Sequence, residues 1–424
     1  MSSSSRRRYL ALGAGALLGL TARAPAANWD LLPRIEIGGT YNDNYRMVTS
    51  SADKLQVYGP FIDAQLDADL VSPRGKFEIV PRLYSTYFPS DTADQSTDEY
   101  LDMDGDYKGL RSDLTGLAQY ANETVIYSEL LPAAFPGVAL GQAVTGTYGR
   151  VGVRERLQME HLAPEYAYDI TPRTHLQMSA DYQHDAFGQS VVQHVGFANY
   201  TGRAGMLFDV TPRSTISVTG VGSRFLPQAG GHDTNRYGAE LEWTGTPSQV
   251  VHTYLRLGAN RVQANTALGP VNSNGVTGGA GIQWQYQTTE VVLDLVRNLS
   301  PSAAGAEVVG NELRFRVLHA FEPRLSGIFA ARAARLRGAS NQPQLAIDGE
   351  DYLAAEAGAE YQLTMSFRVV ATYDYTWQRF QGESAAGSNA VNLAVVYQPL
   401  NRFEPLPEYT GIPQDIPQDI PQEP

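Results

Sequence analysis

The sequence contains no cysteine, which excludes the disulfide-stapled scaffolds that small exported domains often use. No apolar run reaches the roughly 18–20 residues that a transmembrane helix needs. Basic residues are also scarce, because 32 lysines and arginines stand against 45 aspartates and glutamates, a formal net charge of −13. An acidic chain without basic clusters is poorly suited to bind nucleic acid, and we expect no nucleic-acid partner.

Motifs typical of enzymes and metal sites are missing too. The sequence has neither a GxSxG nucleophile elbow nor an HExxH zinc motif, and its seven histidines are scattered. His184 and Asp185 are adjacent, but neighbours in a strand point to opposite faces and would not pair as a base and its orienting group. We therefore expect a non-enzyme without catalytic residues, cofactor or metal. A loop-borne Asp–His site is the alternative that stays open.

Residues 1–26 have the three parts of an export signal. Residues 6–8 form the basic region, residues 10–20 the apolar region, and residues 24–26 the small-residue cleavage site. We expect the mature chain to begin near Ala27. The arginines also resemble a twin-arginine signal, but a membrane barrel must cross the inner membrane unfolded, which favours general secretory export.

The mature chain is built from a repeated hairpin. On both sides of the turn Thr211-Pro212-Arg213 the side chains alternate, with Met206, Phe208 and Val210 on one face. Alternation with period two is typical of a β-strand with two unlike faces, and proline in the turn ends the pairing. Eight short turns, three of which carry Pro-Arg after Thr or Glu, alternate with nine longer loops rich in Gly, Ser, Asn, Asp and Ala. The pattern predicts about 18 strands, within a range of 16–18.

Short turns at one set of strand ends and long loops at the other are typical of outer-membrane β-barrels, with turns in the periplasm and loops outside the cell. Charges within one strand face and tyrosines near the strand ends of the other fit a polar lumen and aromatic girdles. We therefore predict an all-β, transmembrane, up-and-down antiparallel barrel over residues 27–403. Its location would be the outer membrane of a Gram-negative bacterium, among outer-membrane lipid and lipopolysaccharide. A large soluble β protein or a propeller is the alternative.

Two segments depart from the hairpin repeat. Residues 130–150 form the longest loop, which we expect to act as a constriction or lid, with a plain surface loop as the alternative. Residues 404–424 repeat Ile-Pro-Gln-Asp, which predicts a Pro-rich, disordered periplasmic tail. This tail is either a solvated end or a docking peptide.

Charged residues on the polar strand faces are the candidate pore lining. One interpretation is that opposed acidic and basic walls create a transverse field that orients polar solutes. The other is that these charges pair with one another across strands. The alternating aspartates of residues 102–106 also suggest calcium, but they lack the spacing and distal glutamate of an EF-hand loop. The acidic candidates are Asp63, Asp67, Asp69, Asp102, Asp104 and Asp106, and the basic candidates are Arg314, Arg316, Arg332 and Arg368.

The opening strand, with Gly-Thr-Tyr-Asn-Asp-Asn-Tyr at residues 39–45, resembles the start of an outer-membrane β-barrel porin family found beside exopolysaccharide genes. The hairpin at residues 66–77, with its Ser-Pro-Arg-Gly-Lys turn, is similar to that family as well. The resemblance implies a barrel that passes a secreted polysaccharide, together with a periplasmic polysaccharide-export protein. The Pro-rich tail departs from a plain barrel ending.

The residues alone predict a pore, because a barrel of 18 strands leaves an aqueous channel. With the resemblance, we expect an outer-membrane porin for polysaccharide export. A general diffusion porin for small solutes is the near alternative. A non-conducting barrel that serves as a surface adhesin or scaffold is the alternative from another class.

Overall fold

The computed structural model describes residues 28–90, 95–125, 155–188, 194–228, 232–266, 269–303, 305–339 and 349–399. The predicted export signal, loop 130–150 and the tail 404–424 lie outside these residues. Within the described ranges, no helix is long and apolar enough to cross a membrane.

The described residues form eighteen strands. In chain order they are β1 (Asn28–Asn42), β2 (Val57–Ser72), β3 (Gly75–Thr86), β4 (Ser96–Lys108), β5 (Ser112–Thr124), β6 (Arg156–Thr171), β7 (Thr174–Phe187), β8 (Phe197–Thr211), β9 (Ser214–Pro227), β10 (Thr234–Ser248), β11 (Val251–Thr266), β12 (Gly269–Tyr286), β13 (Thr289–Ser302), β14 (Ala306–Glu322), β15 (Leu325–Gly338), β16 (Glu350–Gln362), β17 (Phe367–Phe380) and β18 (Ala386–Tyr397).

The sheet closes on itself. Each strand pairs antiparallel with the strand that follows it in the chain, and β1 also pairs with β18 from Ile35↔Tyr397 to Asn42↔Ala390. Closure leaves no strand of the described residues open along its full length, although β1 before Ile35 pairs only with β2. The predicted all-β, up-and-down antiparallel barrel of about 18 strands is confirmed.

Polar side chains at the start of the first loop reinforce the closing seam. Asn44 is fully buried and donates from Nδ2 to the carbonyl of Gly387 at 2.9 Å. The side chain of Asp43 accepts from both the backbone N–H and the Nδ2 of Asn389, each at 2.7 Å. Residues 42–44, which belong to the motif behind the family resemblance, therefore tie β1 to β18 beyond the last backbone pair.

The turns follow from their Thr-Pro-Arg sequences. Residues 172–173 and 212–213 are two-residue connections, with proline at the position whose φ it favours. The hydroxyl oxygens of Thr171 and Thr211 accept the backbone N–H two residues later, at 3.3 and 3.1 Å. A register shift beside both turns adds a local bulge. The short-turn end of the barrel is therefore tightly defined by sequence.

Two connections at the loop end are shorter than the long loops that the composition predicts. At residues 301–306, β13 runs to Ser302 and β14 starts at Ala306. At residues 265–274, β11 runs to Thr266 and β12 starts at Gly269. The pairs Asn265↔Pro270 and Thr266↔Gly269 continue the regular register of this hairpin. The Asn-rich and Gly-rich composition reflects strands with polar side chains on both faces here, because these strands extend well past the apolar part of the barrel wall.

A broad apolar band covers the outer surface. On β15, β16 and β17, every second residue of 325–333, 353–361 and 367–377 faces outward, and all of these residues are apolar or aromatic. Exposed apolar side chains also occur from β1 to β18, for example Ile37 and Leu393. Exposed aromatic rings stand near both ends of the strands. Those near the turn end are Trp29, Tyr107, Tyr168, Trp284, Tyr286, Phe321, Tyr361, Phe367 and Tyr397, and those near the loop end are Tyr41, Tyr58, Tyr200 and Tyr237.

Candidate functional site

The interior face of the barrel is the candidate site, and the cross-strand register identifies it. Residues paired across antiparallel strands share a face. Because Trp29 and Ile37 of β1 are exposed outside, the alternate residues of β1 and all residues in register with them face the interior. The predicted lining residues all have interior positions: Asp63, Asp67, Asp69, Asp102, Asp104, Asp106, Arg314, Arg316, Arg332 and Arg368. Their part in transport stays a prediction.

A row of like charges crosses the interior face of β1–β4, which we call the acidic sector. Asp30 pairs with Asp69, Asp69 with Glu78, and Glu78 with Asp104. These four carboxylates therefore stand in one register row, on strands about 4.8 Å apart. The Nζ of Lys76 lies 3.1 Å from Asp69 Oδ1 and 2.7 Å from Glu78 Oε2. One ammonium thus faces four carboxylates, and the row concentrates negative potential near the turn end.

The other aspartates of the acidic sector mostly have neutral partners. Asp63 and Asp98 are the exceptions. Arg82 binds Asp63 with two nitrogens at 2.8 Å each, and Arg156 Nη1 lies 2.7 Å from Asp98 Oδ1. Asp67 and Asp102 accept hydrogen bonds from glutamine amides at 2.6 and 3.0 Å. Asp106 accepts a backbone N–H at 3.3 Å. A neutral donor holds a carboxylate in place without cancelling its charge, so the sector keeps a surplus of negative charge.

The interior face of β13–β16 is arranged differently, and we call it the paired sector. Arg314 binds Asp294 and lies 3.6 Å from Glu312, which also accepts from Arg332 Nε at 3.1 Å. The side chains of Asp294 and Arg332 are only 1% and 2% exposed. The hydroxyl of Tyr254 donates to Asp294 as well. Acidic and basic side chains therefore alternate in a buried series of ion pairs from Asp294 to Arg332.

The remaining predicted arginines are paired too. Arg316 lies 2.7 Å from Glu290, and Arg368 lies 3.3 Å from Glu360. Each arginine of the expected basic wall thus has a carboxylate on a neighbouring strand, and its charge is cancelled locally. Among the described residues there is no positively charged wall opposite the acidic one. The cause is the sequence of β13, β14 and β16, whose interior positions carry the matching acids.

Neither the candidate calcium residues nor the adjacent His184 and Asp185 form a site among the described residues. No three His, Asp or Glu side chains of the described chain are arranged to hold a metal ion, so the calcium interpretation of residues 102–106 gains no support. His184 pairs with the outward residue Glu160, and Asp185 pairs with the inward residue Met159. Their side chains therefore lie on opposite sides of the wall.

Non-neighbouring strands are bridged at the loop end. The N–H of Val195, before β8, donates to the carbonyl of Ala303, after β13, at 2.6 Å. Arg236 on β10 donates from Nη1 to a backbone carbonyl of β13 at 3.0 Å. Phe197 and Phe225 point inward near this bridge, fully buried, with ring centroids 5.3 Å apart. One side of the mouth is therefore narrowed by the barrel itself, which the hairpin pattern did not reveal.

Comparison with known proteins gives a likeness of shape. The structure resembles OccK2 (OpdF) of Pseudomonas aeruginosa, solved with glucuronate, at 11% identity and a TM-score of 0.47, covering 88% of this chain and 99% of that one. It resembles OpdO of Pseudomonas aeruginosa at 12% identity and a TM-score of 0.44, covering 87% of this chain and 97% of that one. It also resembles the ferric citrate transporter FecA at 12% identity and a TM-score of 0.40, covering 82% of this chain and 60% of that one. No family model and no curated protein matches the sequence.

Proposed function

We propose that this chain is a porin of the Gram-negative outer membrane whose acidic interior favours cations and neutral solutes over anions. The observation that carries this proposal is the row Asp30, Asp69, Glu78 and Asp104 on the inner wall of a closed barrel. Such a row lowers the energy of a cation near the turn end and raises that of an anion.

The membrane location is supported by the outer surface of the barrel. Large apolar side chains exposed on all sides would be unstable in water, but they match a hydrocarbon layer. The band lies between aromatic rings at the turn end, such as Trp29 and Tyr361, and rings at the loop end, such as Tyr41 and Tyr237. Two aromatic girdles are typical of the two interfaces of an outer membrane.

The proposal of a pore rests on strand number as well as charge. Barrels of 16–18 strands have a circumference that side chains do not fill, and they leave an aqueous channel. General diffusion of small solutes needs only this channel. Polysaccharide export with a periplasmic export protein is a finer proposal, and the acidic sector would favour a neutral polysaccharide over an acidic one.

A non-conducting barrel, acting as an adhesin or scaffold, is the second candidate. The bridge from Val195 to Ala303 favours it, because strands on different sides of the mouth are joined there. The predicted role of loop 130–150 as a constriction or lid is part of the same proposal, and this loop lies outside the described residues.

Conductance of the purified protein in planar bilayers separates these functions. In a KCl gradient, we expect stable current steps and a reversal potential of the sign that indicates K⁺ preference. Steps with Cl⁻ preference would contradict the role of the acidic row. Protein that inserts into bilayers but stays silent would favour the adhesin or scaffold. Block by a neutral polysaccharide added on the turn side would support the export proposal.

A further inference from the structure

A cluster of arginines stands on the outer surface at the loop end of β15–β17. Arg335 Nε and Arg379 Nη2 donate to different oxygens of Asp351, at 2.8 and 2.7 Å. Arg337 Nη2 donates to the same carboxylate at 3.2 Å. Three guanidinium groups thus converge on one carboxylate, and we call these four residues the arginine cluster.

The register fixes the place of this cluster on the barrel wall. Arg335, Asp351 and Arg379 form one row across three adjacent strands. The outward residues next below them are Ala333, Leu353 and Trp377, where the apolar band begins. The outward side chains of all three strands therefore change from apolar to charged at the same height on the barrel.

The height of this level matches a membrane surface. Asp351 and Tyr361, the outward residue at the turn end of the apolar band, lie ten residues apart on β16. A strand that rises about 3.3 Å per residue at a tilt near 40° covers about 25 Å along the barrel axis over that length. The apolar band of outer-membrane barrels is about 25 Å tall. The cluster therefore stands where lipid head groups meet the barrel.

The cluster has charge and donors to spare. Three arginines face one aspartate, and the side chains of Arg335, Arg337 and Arg379 are 63%, 41% and 50% exposed. A guanidinium has five N–H donors, whereas Asp351 engages one nitrogen of each arginine. The guanidinium of Arg379 also lies 5.7 Å from the ring centroid of Trp377, which holds it at the edge of the band. Arg337 also donates from Nη1 to two backbone carbonyls, at 2.7 and 3.2 Å, so the spare donors belong mainly to Arg335 and Arg379.

We propose that the arginine cluster binds a phosphate group of a lipid head group in the leaflet on the loop side. Paired guanidinium groups match the oxygens of a phosphate and bind it with charge-assisted hydrogen bonds. A phosphorylated glycolipid such as lipid A presents this group at the level of the cluster. The inference rests on the proposed function, because head groups reach the cluster only if the barrel spans a bilayer.

The opposite part of the same level has the opposite charge. Outward positions there carry Glu99 on β4 and Glu160 on β6. A phosphate head group would be repelled at these strands. Cationic charge is therefore concentrated at the arginine cluster, and the outward arginines of other loop-end positions, such as Arg224 and Arg261, stand on separate strands.

Retention of diphosphoryl lipid A in mixed detergent micelles, measured by native mass spectrometry, tests the proposal. The double variant R335Q/R379Q should weaken retention at least about tenfold, since it removes two charged hydrogen-bond donors worth more than 1.4 kcal/mol together. The matched control is R224Q/R261Q, which removes two outward arginines at the loop end of β9 and β11. It should change retention less than about twofold.

Several outcomes would overturn the proposal. Equal loss in both double variants would mean diffuse charge attraction, and no loss in R335Q/R379Q would mean that the cluster is not the site. Equal retention of dephosphorylated lipid A would exclude phosphate as the recognised group. Displacement by an equal concentration of inorganic phosphate would indicate a free-anion site. Heat-modifiable gel mobility checks folding of each variant, and bilayer conductance of the same samples tests the porin proposal separately.

Discussion

The acidic sector and the paired sector line the same barrel with the same residue types, yet they use them in opposite ways. In the paired sector, the side chains of Asp294, Glu312 and Arg332 are at most 6% exposed, and acid and base alternate. In the acidic sector, Lys76 and Asp69 are 46% and 21% exposed, and carboxylates face carboxylates. Charges buried away from water require partners, whereas charges in contact with water tolerate like neighbours.

Charges that support the fold and charges that are free to act on solutes lie in different sectors of the barrel wall. A buried chain of ion pairs fixes the positions of its strands, and its removal would leave a charge without a partner. A solvated row of like charges gives no such support, because direct cross-strand neighbours of one sign destabilise a sheet. Under the proposed porin function, we expect the acidic row to act on passing ions, and variants of the two sectors can test this division.

The largest effect is expected from breaking the paired sector. Substitution of Arg332 by Met removes a buried partner of Glu312 and should lower the free energy of unfolding by about 3–5 kcal/mol. Urea unfolding of the protein in lipid vesicles, followed by tryptophan fluorescence, measures the loss. The control, Lys76→Met in the acidic sector, removes a half-exposed ammonium and should cost less than about 1 kcal/mol. Similar losses in the two variants would show that the sectors do not differ in structural role.

Much of the barrel could be predicted from local sequence. Period-two alternation and the Thr-Pro-Arg turns reveal the hairpins, because turn chemistry acts within a few residues. Turn position also implies register: a two-residue turn at residues 73–74 sets Asp69 opposite Glu78. Glu78 can therefore be placed opposite Asp69 from the turn alone. Asp30 and Asp104 cannot be aligned with this pair in the same way, because β1 and β4 join the hairpin through longer connections that do not fix a register.

The partners of the arginines could not be predicted in the same way. Whether Arg332 is exposed or buried depends on which side chains of other strands cover it inside the barrel. The alternation of residues along one strand carries no information about those side chains. The bridge from Val195 to Ala303 and the contact of Asn44 with Gly387 join residues far apart in the chain. Such contacts depend on how the barrel closes, and the composition of the chain does not predict which residues closure brings together.

Ion selectivity should depend on the carboxylates of the acidic sector. Substitution of Asp69 and Asp104 by Asn should lower the K⁺ to Cl⁻ permeability ratio about two- to fivefold. A unit charge about 8 Å from an ion in water contributes about 0.5 kcal/mol, which is roughly a factor of two for each carboxylate. Reversal potentials in a KCl gradient measure the ratio. An unchanged ratio with intact conductance would mean that ions do not pass near this row.

Removal of Lys76 should change the cation preference in the opposite direction. Lys76→Met removes the ammonium between Asp69 and Glu78 and leaves the carboxylates in place. Cation preference should rise by about a factor of two, again from the interaction of one unit charge with a permeating ion. The same reversal-potential measurement applies. A fall in cation preference would indicate that Lys76 holds the row in position and that its charge has little direct effect on ions.

The smallest effect is expected in the paired sector when a whole pair is neutralised. The double variant E290Q/R316Q removes one acid and one base that lie 2.7 Å apart, so the net charge of the interior does not change. Both side chains are about 15% exposed, and their fields cancel over short distances in water. We therefore expect a reversal potential equal to that of the parent protein, although R316Q alone should shift it toward K⁺. A shift in E290Q/R316Q as large as that of K76M would show that the paired sector also acts on ions, and the division between structural and functional charge would then fail.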